Sequence, residues 1–185
     1  LSGWKGDPEL WSVQDGVIVG STHKKKIKVG SFLIWEGGEL TDFHLTFEAK
    51  VINNNSGMTY RGRIADEKNL LLHGYQIDVH PKLDYTAMLY CDGRHIIAKR
   101  GQKFTIDATS GKAGAIEKIG KLTPVDIAKW QTYEIICKGN HLIHKLNGEV
   151  TIDIVDNHQK KLLKGLLGMQ LHPGEAMNCY YRNIT

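Results

Sequence analysis

The chain has 185 residues, of which 41% are hydrophobic and 24% are charged, and its net charge is +4. This length and composition predict one globular domain over residues 1–185, and no apolar run approaches the roughly 18 residues of a membrane span. The basic runs at residues 24–28 and 160–161 lack interleaved aromatic residues. They therefore give no support to a nucleic-acid partner.

Strand patterns begin near the amino terminus. Residues 11–19 predict two short strands joined by an Asp-Gly turn at positions 15 and 16, because this dipeptide favours a tight hairpin. Residues 43–51 alternate apolar and polar side chains, as a half-buried strand does. The segment 100–121 is rich in Gly, Lys, Thr and Ser and predicts a long irregular connection.

Further strands follow in the second half of the chain. Residues 133–153 predict three strands, with an Asn-Gly hairpin at positions 147 and 148. Residues 166–172 and 177–184 predict two more, separated by a Pro-Gly pair. No segment of helical length keeps an apolar stripe at helical spacing. The fold class is therefore all-β, a sandwich of two packed antiparallel sheets.

The three cysteines, Cys91, Cys137 and Cys179, are widely spaced and form no CxxC motif. Their odd number argues against a full disulfide framework, although one pair could still bridge. Burial as small core residues is the favoured prediction, because free cysteine is among the most buried residue types.

Residues 74–80 (GYQIDVH) carry the most informative pattern of the sequence. On a strand, Tyr75 and its alternate neighbours point to one face, while Gln76, Asp78 and His80 point to the other. A solvated strand face usually carries Lys, Glu, Ser or Thr. An amide, a carboxylate and an imidazole in a row instead indicate the floor of a polar binding site.

The same face analysis applies to two other segments. In residues 167–172 (LGMQLH), Gln170 and His172 oppose three apolar side chains, and in residues 56–63 (SGMTYRGR), Arg61 and Arg63 oppose Met and Tyr. If the three strands share a sheet, these groups form one polar trough. Paired donors and acceptors of this kind suit the hydroxyl groups of a sugar.

Each of these residues also has a purely structural interpretation. Arg61 and Asp78 could neutralise each other as an ion pair within the sheet. His80 could cap the turn before the following proline, and His172 could be an exposed histidine at a strand end. The two glutamines could bond to neighbouring backbone. Recurrence on three strands, rather than any one residue, favours a functional interpretation.

Standard catalytic motifs are absent. The sequence contains no GxSxG, HExxH, P-loop or GxGxxG, so esterase, zinc-protease and nucleotide-binding functions have no support. Ordinary glycoside hydrolysis needs two carboxyl groups that flank the scissile bond. The predicted trough offers Asp78 and Asp92 only, which disfavours that chemistry.

An ordered set of short motifs resembles the bacterial 3-keto-disaccharide hydrolase domain family. The motifs cover nearly the whole chain: LSGWKG at 1–6, WSVQDGVIVG at 11–20, DFHL at 42–45, NSGMTYR at 55–61, GYQIDV at 74–79, LYCDGR at 89–94, WQTYEI at 130–135, LNG at 146–148, GMQLHPG at 168–174 and YRNI at 181–184. Two segments depart from the family pattern: residues 82–88 replace a small, Gly-rich run, and Cys91-Asp92 replaces an acidic pair.

The resemblance implies a concanavalin A-like jelly roll that acts on glycosides oxidised at carbon 3, in an extracytoplasmic (periplasmic or secreted) bacterial setting. No signal peptide is visible in this chain. A ketone at C3 acidifies the C2 proton, so one base can remove it while the C1 substituent leaves, and water can then add. The partner is accordingly an oligosaccharide or glycoside, and no cofactor is required.

The implied chemistry assigns roles to the trough residues. His80 or His172 is the expected base, with Asp78 orienting it or serving as the base itself. Arg61 and Arg94 are expected to stabilise the enolate oxygen. Substrate hydroxyls are expected to bind at the remaining candidates, Gln76, Gln170, Arg63, Tyr90 and Asp92.

Two alternatives stay open. Asp78, His80 and His172 could instead bind a divalent metal that polarises the ketone. The domain could also be a non-catalytic carbohydrate-binding or structural module, because a sandwich fold does not settle function.

Overall fold

The computed structural model describes all residues from 1 to 185 and consists of strands joined by turns and loops. The strands are β1 (Trp4–Lys5), β2 (Trp11–Gln14), β3 (Val17–Ser21), β4 (Ser31–Trp35), β5 (Phe43–Ile52), β6 (Ser56–Asp66), β7 (Leu71–Val79), β8 (Leu89–Cys91), β9 (His95–Ala98), β10 (Gln102–Ile106), β11 (Glu117–Lys118), β12 (Gln131–Lys138), β13 (His141–Leu146), β14 (Glu149–Asp156), β15 (Leu166–Leu171) and β16 (Asn178–Arg182). No apolar helix of membrane-spanning length is present.

The strands form two sheets. The seven-stranded sheet has the order β1-β4-β15-β6-β7-β8-β9, and the nine-stranded sheet has the order β11-β10-β14-β13-β12-β5-β16-β3-β2. All pairings are antiparallel except that of β10 with β14, which is parallel. The predicted jelly-roll sandwich of two mainly antiparallel sheets is therefore confirmed.

Both predicted hairpin turns have the backbone that their sequences favour. Asp15 and Gly16 have φ values of 49° and 76°, and Asn147 and Gly148 have values of 52° and 81°. Two successive positive φ values define the turn whose twist matches that of paired strands. These turns join β2 to β3 and β13 to β14.

The predicted irregular connection over residues 100–121 is partly wrong. It contains β10 and the short β11, and Phe104 and Ile106 of β10 are buried in the core. Period-2 burial in a five-residue strand is easily hidden by the surrounding Lys and Thr residues. β10 pairs with β14 in parallel, and parallel strands are not joined by a tight turn, so no turn motif in the sequence indicates this pairing.

The main core lies between the sheets and contains 32 buried hydrophobic residues. All three cysteines are free and buried, as predicted. A second cluster of Phe32, Ile34 and Leu72 covers part of the outer face of the seven-stranded sheet. Polar side chains occupy the same face further along β6, β7 and β15, and they form the candidate site.

Candidate functional site

A polar cleft lies on the outer face of the seven-stranded sheet, across the neighbouring strands β15, β6, β7 and β8. We call it the cleft, and its volume is about 390 Å³. Strand alternation directs Tyr75, Ile77 and Val79 into the core, which leaves the intervening side chains on the cleft side. The cleft brings together seven of the predicted site residues: Gln76, Asp78, His80, Tyr90, Asp92, Gln170 and His172.

Two other cavities lack this chemistry. One of about 580 Å³ is mostly apolar and includes Trp4, Trp35 and Phe43. Another of about 760 Å³ is lined by loop residues, among them Lys24 and Lys26. Neither contains the amide and carboxylate groups that the sequence patterns place on one sheet face.

Hydrogen bonds fix the amide groups of the cleft. Thr59 Oγ1 donates to Gln76 Oε1 at 2.6 Å, and Gln76 Nε2 donates to Asp78 Oδ1 at 2.7 Å and to Gln170 Oε1 at 3.1 Å. These contacts use both sides of the Gln76 amide and set its orientation. Asp78 Oδ2 and the Gln170 NH₂ group make no hydrogen bond within the protein, so both remain available to a ligand.

Asp78 is the most strongly perturbed carboxyl group of the cleft. Burial raises its pKa to about 7, and the negative charge of Asp92 acts in the same direction, whereas the Gln76 N–H group opposes the shift. The cause is the removal of the carboxylate from water, because no cation compensates it. Asp78 can therefore gain or lose a proton near neutral pH, as a general base must.

His80 caps a turn and faces the cleft at the same time. The Lys82 backbone N–H donates to His80 Nδ1 at 3.0 Å, which confirms the predicted capping role. Nδ1 is therefore unprotonated, and neutral His80 carries its proton on Nε2. Burial lowers the pKa of His80, and the charges of Lys82 and His172 add to this effect, so the neutral form is favoured.

His172 has the opposite tautomer. Its Nδ1 lies 2.7 Å from the carbonyl oxygen of Pro173, which can only accept a hydrogen bond, so Nδ1 carries a proton. Neutral His172 consequently has its free lone pair on Nε2. The cleft thus holds one imidazole with a donor Nε2 at position 80 and one with an acceptor Nε2 at position 172.

Tyr90 and Asp92 form the β8 side of the cleft. Burial, followed by the charge of Asp92, raises the pKa of Tyr90, so its hydroxyl stays protonated and can donate. Burial also raises the pKa of Asp92, against the opposing effect of His73, whose Nε2 lies 4.0 Å from Asp92 Oδ1.

The prediction that Arg61 lies in the trough is wrong. A β-bulge interrupts the pairing of β6 with β7 between Tyr60 and Arg63, and Arg61 has a φ of 49°. The bulge places its guanidinium in the protein interior, where it donates to the carbonyl oxygens of Thr41, Gly139 and Leu162. Its ion-pair partner is Asp42 at 3.6 Å, so the predicted alternative pair with Asp78 is also wrong.

Arg94 and Arg63 are likewise outside the cleft. Arg94 forms a two-point contact with Asp156, with N–O distances of 2.5 and 3.2 Å, and lines a separate cavity. Arg63 is opposite His73 in the register, is exposed, and does not line the cleft. The alternation pattern failed for Arg63 because the bulge precedes it, and Arg94 follows a turn whose direction the sequence does not specify.

The alternative metal site does not fit the geometry. Asp78, His80 and His172 do not form a group of His, Cys, Asp or Glu side chains that could hold a metal ion. Neutral His80 uses its Nδ1 lone pair for the Lys82 N–H group and carries a proton on Nε2, so it offers a metal no free lone pair. We derive no step through a metal.

Two polar residues that line the cleft, Asn55 and Tyr85, were not among the predicted site residues. Tyr85 lies in an irregular turn and packs edge-on against His80 at 5.1 Å between ring centres. Neither residue lies on a strand with an alternating pattern, so the face analysis could not place them. Thr59 does not line the cleft but bonds to the Gln76 amide, and the alternation of residues 56–63 could have located it on the polar face.

A glycine leaves room for the amide network. A methyl group built on Gly57 would lie 2.7 Å from the Gln76 amide, closer than real side chains approach. Gly57 is paired with Asp78 across β6 and β7. The floor of the cleft is therefore backbone at this position, and the Gln76 side chain lies over it.

A jelly-roll sandwich with a cleft of amide, carboxylate, imidazole and phenol groups belongs to the carbohydrate-related class of β-sandwich proteins. Over residues 1–185 the sequence matches the family described as the 3-keto-alpha-glucoside-1,2-lyase-like domain. The chain therefore belongs to this family, which confirms the resemblance found in its motifs. A search of curated proteins gives no match.

Similar solved structures include both enzymes and a binding module. A candidate glycosyl hydrolase from Parabacteroides distasonis is 17% identical, with a TM-score of 0.64 and coverage of 99% of this chain and 92% of that one. The carbohydrate-binding module CBM66 from Bacillus subtilis is also 17% identical, with a TM-score of 0.62 and coverage of 99% and 94%. A Bacillus licheniformis β-glucanase is 11% identical, with a TM-score of 0.56 and coverage of 98% and 91%. At these identities the likeness shows the fold alone.

Proposed function

We propose that the domain cleaves 3-keto-glycosides by elimination followed by addition of water. The observation that carries this proposal is Asp78, a buried carboxyl group with a pKa of about 7 that lies in the same cleft as two histidines. A ketone at C3 makes the C2 proton acidic, so a single base of this strength suffices. The family match supports the same substrate class.

Asp78 is the base that this geometry favours. Its Oδ2 is free to accept a proton, whereas His80 Nδ1 and His172 Nδ1 are bonded to backbone groups and not to Asp78. Asp78 therefore does not orient a histidine. In the first step the C2–H bond breaks, the proton moves to Asp78, and the electron pair forms the enolate.

The two histidines suit the remaining steps. As the C1–O bond breaks, the Nε2–H group of neutral His80 can donate a hydrogen bond to the departing oxygen, which takes its proton from solvent and leaves a C1=C2 double bond. A water molecule then adds to C1, its proton moves to the Nε2 lone pair of His172, and Asp78 returns its proton to C2. His172 finally releases its proton to solvent, which replaces the proton that the departing oxygen took, so the cycle is balanced.

Neutral donors take the place of the predicted arginines at the enolate. The Tyr90 hydroxyl stays protonated, and the Gln170 NH₂ group makes no hydrogen bond within the protein. Such groups stabilise developing negative charge when they are fixed in advance in a site with little water. The hydrogen bond between Gln170 Oε1 and Gln76 provides that fixation.

A non-catalytic carbohydrate-binding module is the second candidate function. The cleft contains amides and a tyrosine but none of the three predicted arginines, and hydrogen-bonding groups with an aromatic ring are sufficient for sugar binding. The fold similarity to CBM66 is consistent with this alternative. The extracytoplasmic location stays a prediction.

The test uses 4-nitrophenyl 3-keto-glucosides of both anomers, with the corresponding glucosides as controls. We expect nitrophenolate release from a keto substrate only, together with exchange of the C2 proton for deuterium in D₂O. The control glucosides have no acidified C2 proton and should stay intact. Saturable binding of the keto compounds without release or exchange would support the binding module and overturn the enzyme.

A further inference from the structure

Three arginines, of which Arg61 and Arg100 are buried and Arg94 is partly buried, differ in how their charge is satisfied. Arg61 donates to three backbone carbonyls, and Arg94 pairs with Asp156. Arg100 is only 4% exposed, yet the single hydrogen bond of its guanidinium group is a long one of 3.5 Å from Nη2 to the Lys121 carbonyl oxygen. Its Nε and Nη1 atoms have no hydrogen-bond partner, and no carboxylate lies within ion-pair distance.

Two hydroxyl groups near Arg100 are also unpartnered. Thr86 Oγ1 and Tyr133 Oη are buried without a hydrogen-bond partner of good geometry, and the residues are 2% and 0% exposed. Burial raises the pKa of Tyr133, whereas a weak hydrogen bond with the Thr86 hydroxyl and the positive charge of Arg100 act to lower it. The Arg100 Nε and Nη1 atoms and the two hydroxyls are therefore in one neighbourhood.

The backbone explains why these residues meet. Arg100 N donates to the Asp84 carbonyl at 2.9 Å, which attaches the arginine to the turn that carries Thr86. Thr151 connects the same two segments, because its hydroxyl donates to Ala87 O at 3.0 Å and its carbonyl accepts from Gly101 N at 2.6 Å. Tyr133 lies on β12 of the nine-stranded sheet and is held in place by stacking on Phe47 of the neighbouring strand β5.

The chemistry of the cluster specifies its ligand. A guanidinium can only donate hydrogen bonds, and it stays protonated in proteins. Hydroxyl groups can join it as donors. Glu149 attracts the Arg100 charge from beyond ion-pair distance, so its compensation within the protein is weak. A buried charge without a close counterion is costly, and unsatisfied buried groups in a folded protein call for an explanation. A species that only accepts hydrogen bonds and carries one negative charge would compensate all four atoms.

We propose that Arg100, Tyr133 and Thr86 form a buried binding site for a small monovalent anion of the halide class. The Arg100 guanidinium contacts the Lys121 carbonyl, and the next residue, Leu122, is 46% exposed, so the arginine lies close to the protein surface. The site is separate from the cleft and does not depend on the proposed reaction.

The first test compares thermal unfolding in sodium chloride or bromide with sodium methanesulfonate at the same ionic strength. Because an anion that binds only the folded state stabilises it, we expect a halide-specific rise in Tm of roughly 2–4 °C. A crystal grown in bromide should show an anomalous peak beside the Arg100 guanidinium. Equal Tm values together with no bromide peak would mean that water alone satisfies these groups, and would overturn the proposal.

The second test uses variants. Arg100→Met should abolish the halide-specific rise in Tm, and Arg63→Met, which removes an exposed arginine, should keep it. If Arg100→Met does not fold, Tyr133→Phe preserves the stacking on Phe47 and removes one donor, so it should reduce the rise and raise the halide concentration at its midpoint. An undiminished halide effect in Tyr133→Phe and in any folded Arg100→Met would place the ion elsewhere and refute the site.

Discussion

The two faces of β7 each adjoin a buried carboxyl group, and the pKa values of these two groups are shifted in opposite directions. On the core side, Tyr75 donates to Asp156 at 2.5 Å, and Arg94 holds the same carboxylate with two hydrogen bonds. Although burial acts to raise it, these contacts hold the pKa of Asp156 below its ordinary value. On the cleft side, Asp78 has one amide partner, and its pKa rises to about 7.

Both carboxyl groups are shielded from solvent, since Asp156 is 1% exposed and Asp78 is 5% exposed, and they differ in the partners that compensate their charge. A buried carboxylate with a cation and a hydroxyl beside it is a structural anchor. A buried carboxylate with a free oxygen and no cation is a group that a ligand or a proton can complete. This contrast, more than any residue type, makes the cleft the candidate site.

The largest expected effect comes from Asp78→Asn, which removes the base but keeps an acceptor for the Gln76 N–H group. We expect turnover of a 3-keto-glucoside to fall by about 10²–10⁴-fold, because the loss of a general base has effects of that size. The measurement is kcat with the C2 deuterium exchange rate. Asp156→Asn on the opposite face should reduce stability instead. Retained kcat and exchange in folded Asp78→Asn would exclude Asp78 as base.

Arg61→Met tests whether this arginine is structural. The substitution leaves the carbonyl groups of Thr41, Gly139 and Leu162 without their donors, so we expect the free energy of unfolding to fall by about 3 kcal/mol or more. Urea unfolding measures the loss, and Arg63→Met is the control with little expected change. Folded Arg61→Met should retain its turnover. A specific loss of kcat without destabilisation would show that Arg61 takes part in the reaction.

The histidines should differ between the two half-reactions. His80→Ala should slow the departure of poor leaving groups by roughly 10²-fold and have less effect on nitrophenolate, which is stable as an anion and needs little help from a hydrogen bond. His172→Ala should slow the addition of water, so that the unsaturated intermediate accumulates and is visible in the ultraviolet. Identical losses in both variants for all substrates would contradict the assignment of separate roles.

The last expected effect concerns stability and pH. The folded state holds the Asp78 proton up to about pH 7, whereas the unfolded chain releases it near pH 3.8, so the folded protein binds more protons between these values. Stability contributed by this group is therefore lost as pH rises through 7. We expect Asp78→Asn to match the wild type near pH 3.5 and to exceed it at pH 8 by roughly 2–4 kcal/mol in urea unfolding. A pH-independent difference would rule out the raised pKa.

Most of the sandwich could be predicted, because period-2 burial and Asn-Gly or Asp-Gly turns are local properties of the sequence. The same alternation correctly grouped Gln76, Asp78 and Gln170 on one sheet face. The positions of Arg61 and Arg94 could not be predicted. The position of Arg61 depends on a bulge that reverses side-chain direction, and that of Arg94 depends on the Asp156 carboxylate, 62 residues away in the sequence. Ion pairs between residues far apart in the sequence form only in the folded protein, and they produce no periodic pattern in the sequence.

Because Gly57 has no side chain, adding one methyl group at this position would change the space available in the cleft. Because the Gln76 side chain lies directly over this residue, an alanine there would push the amide outward without adding charge or removing a donor. The displaced amide would also lose its hydrogen bonds to Asp78 and Gln170, so an engineered series at this position would change the room in the cleft and the environment of Asp78 together. The volume of the cleft and the acidity of its carboxyl group are therefore coupled through one side chain.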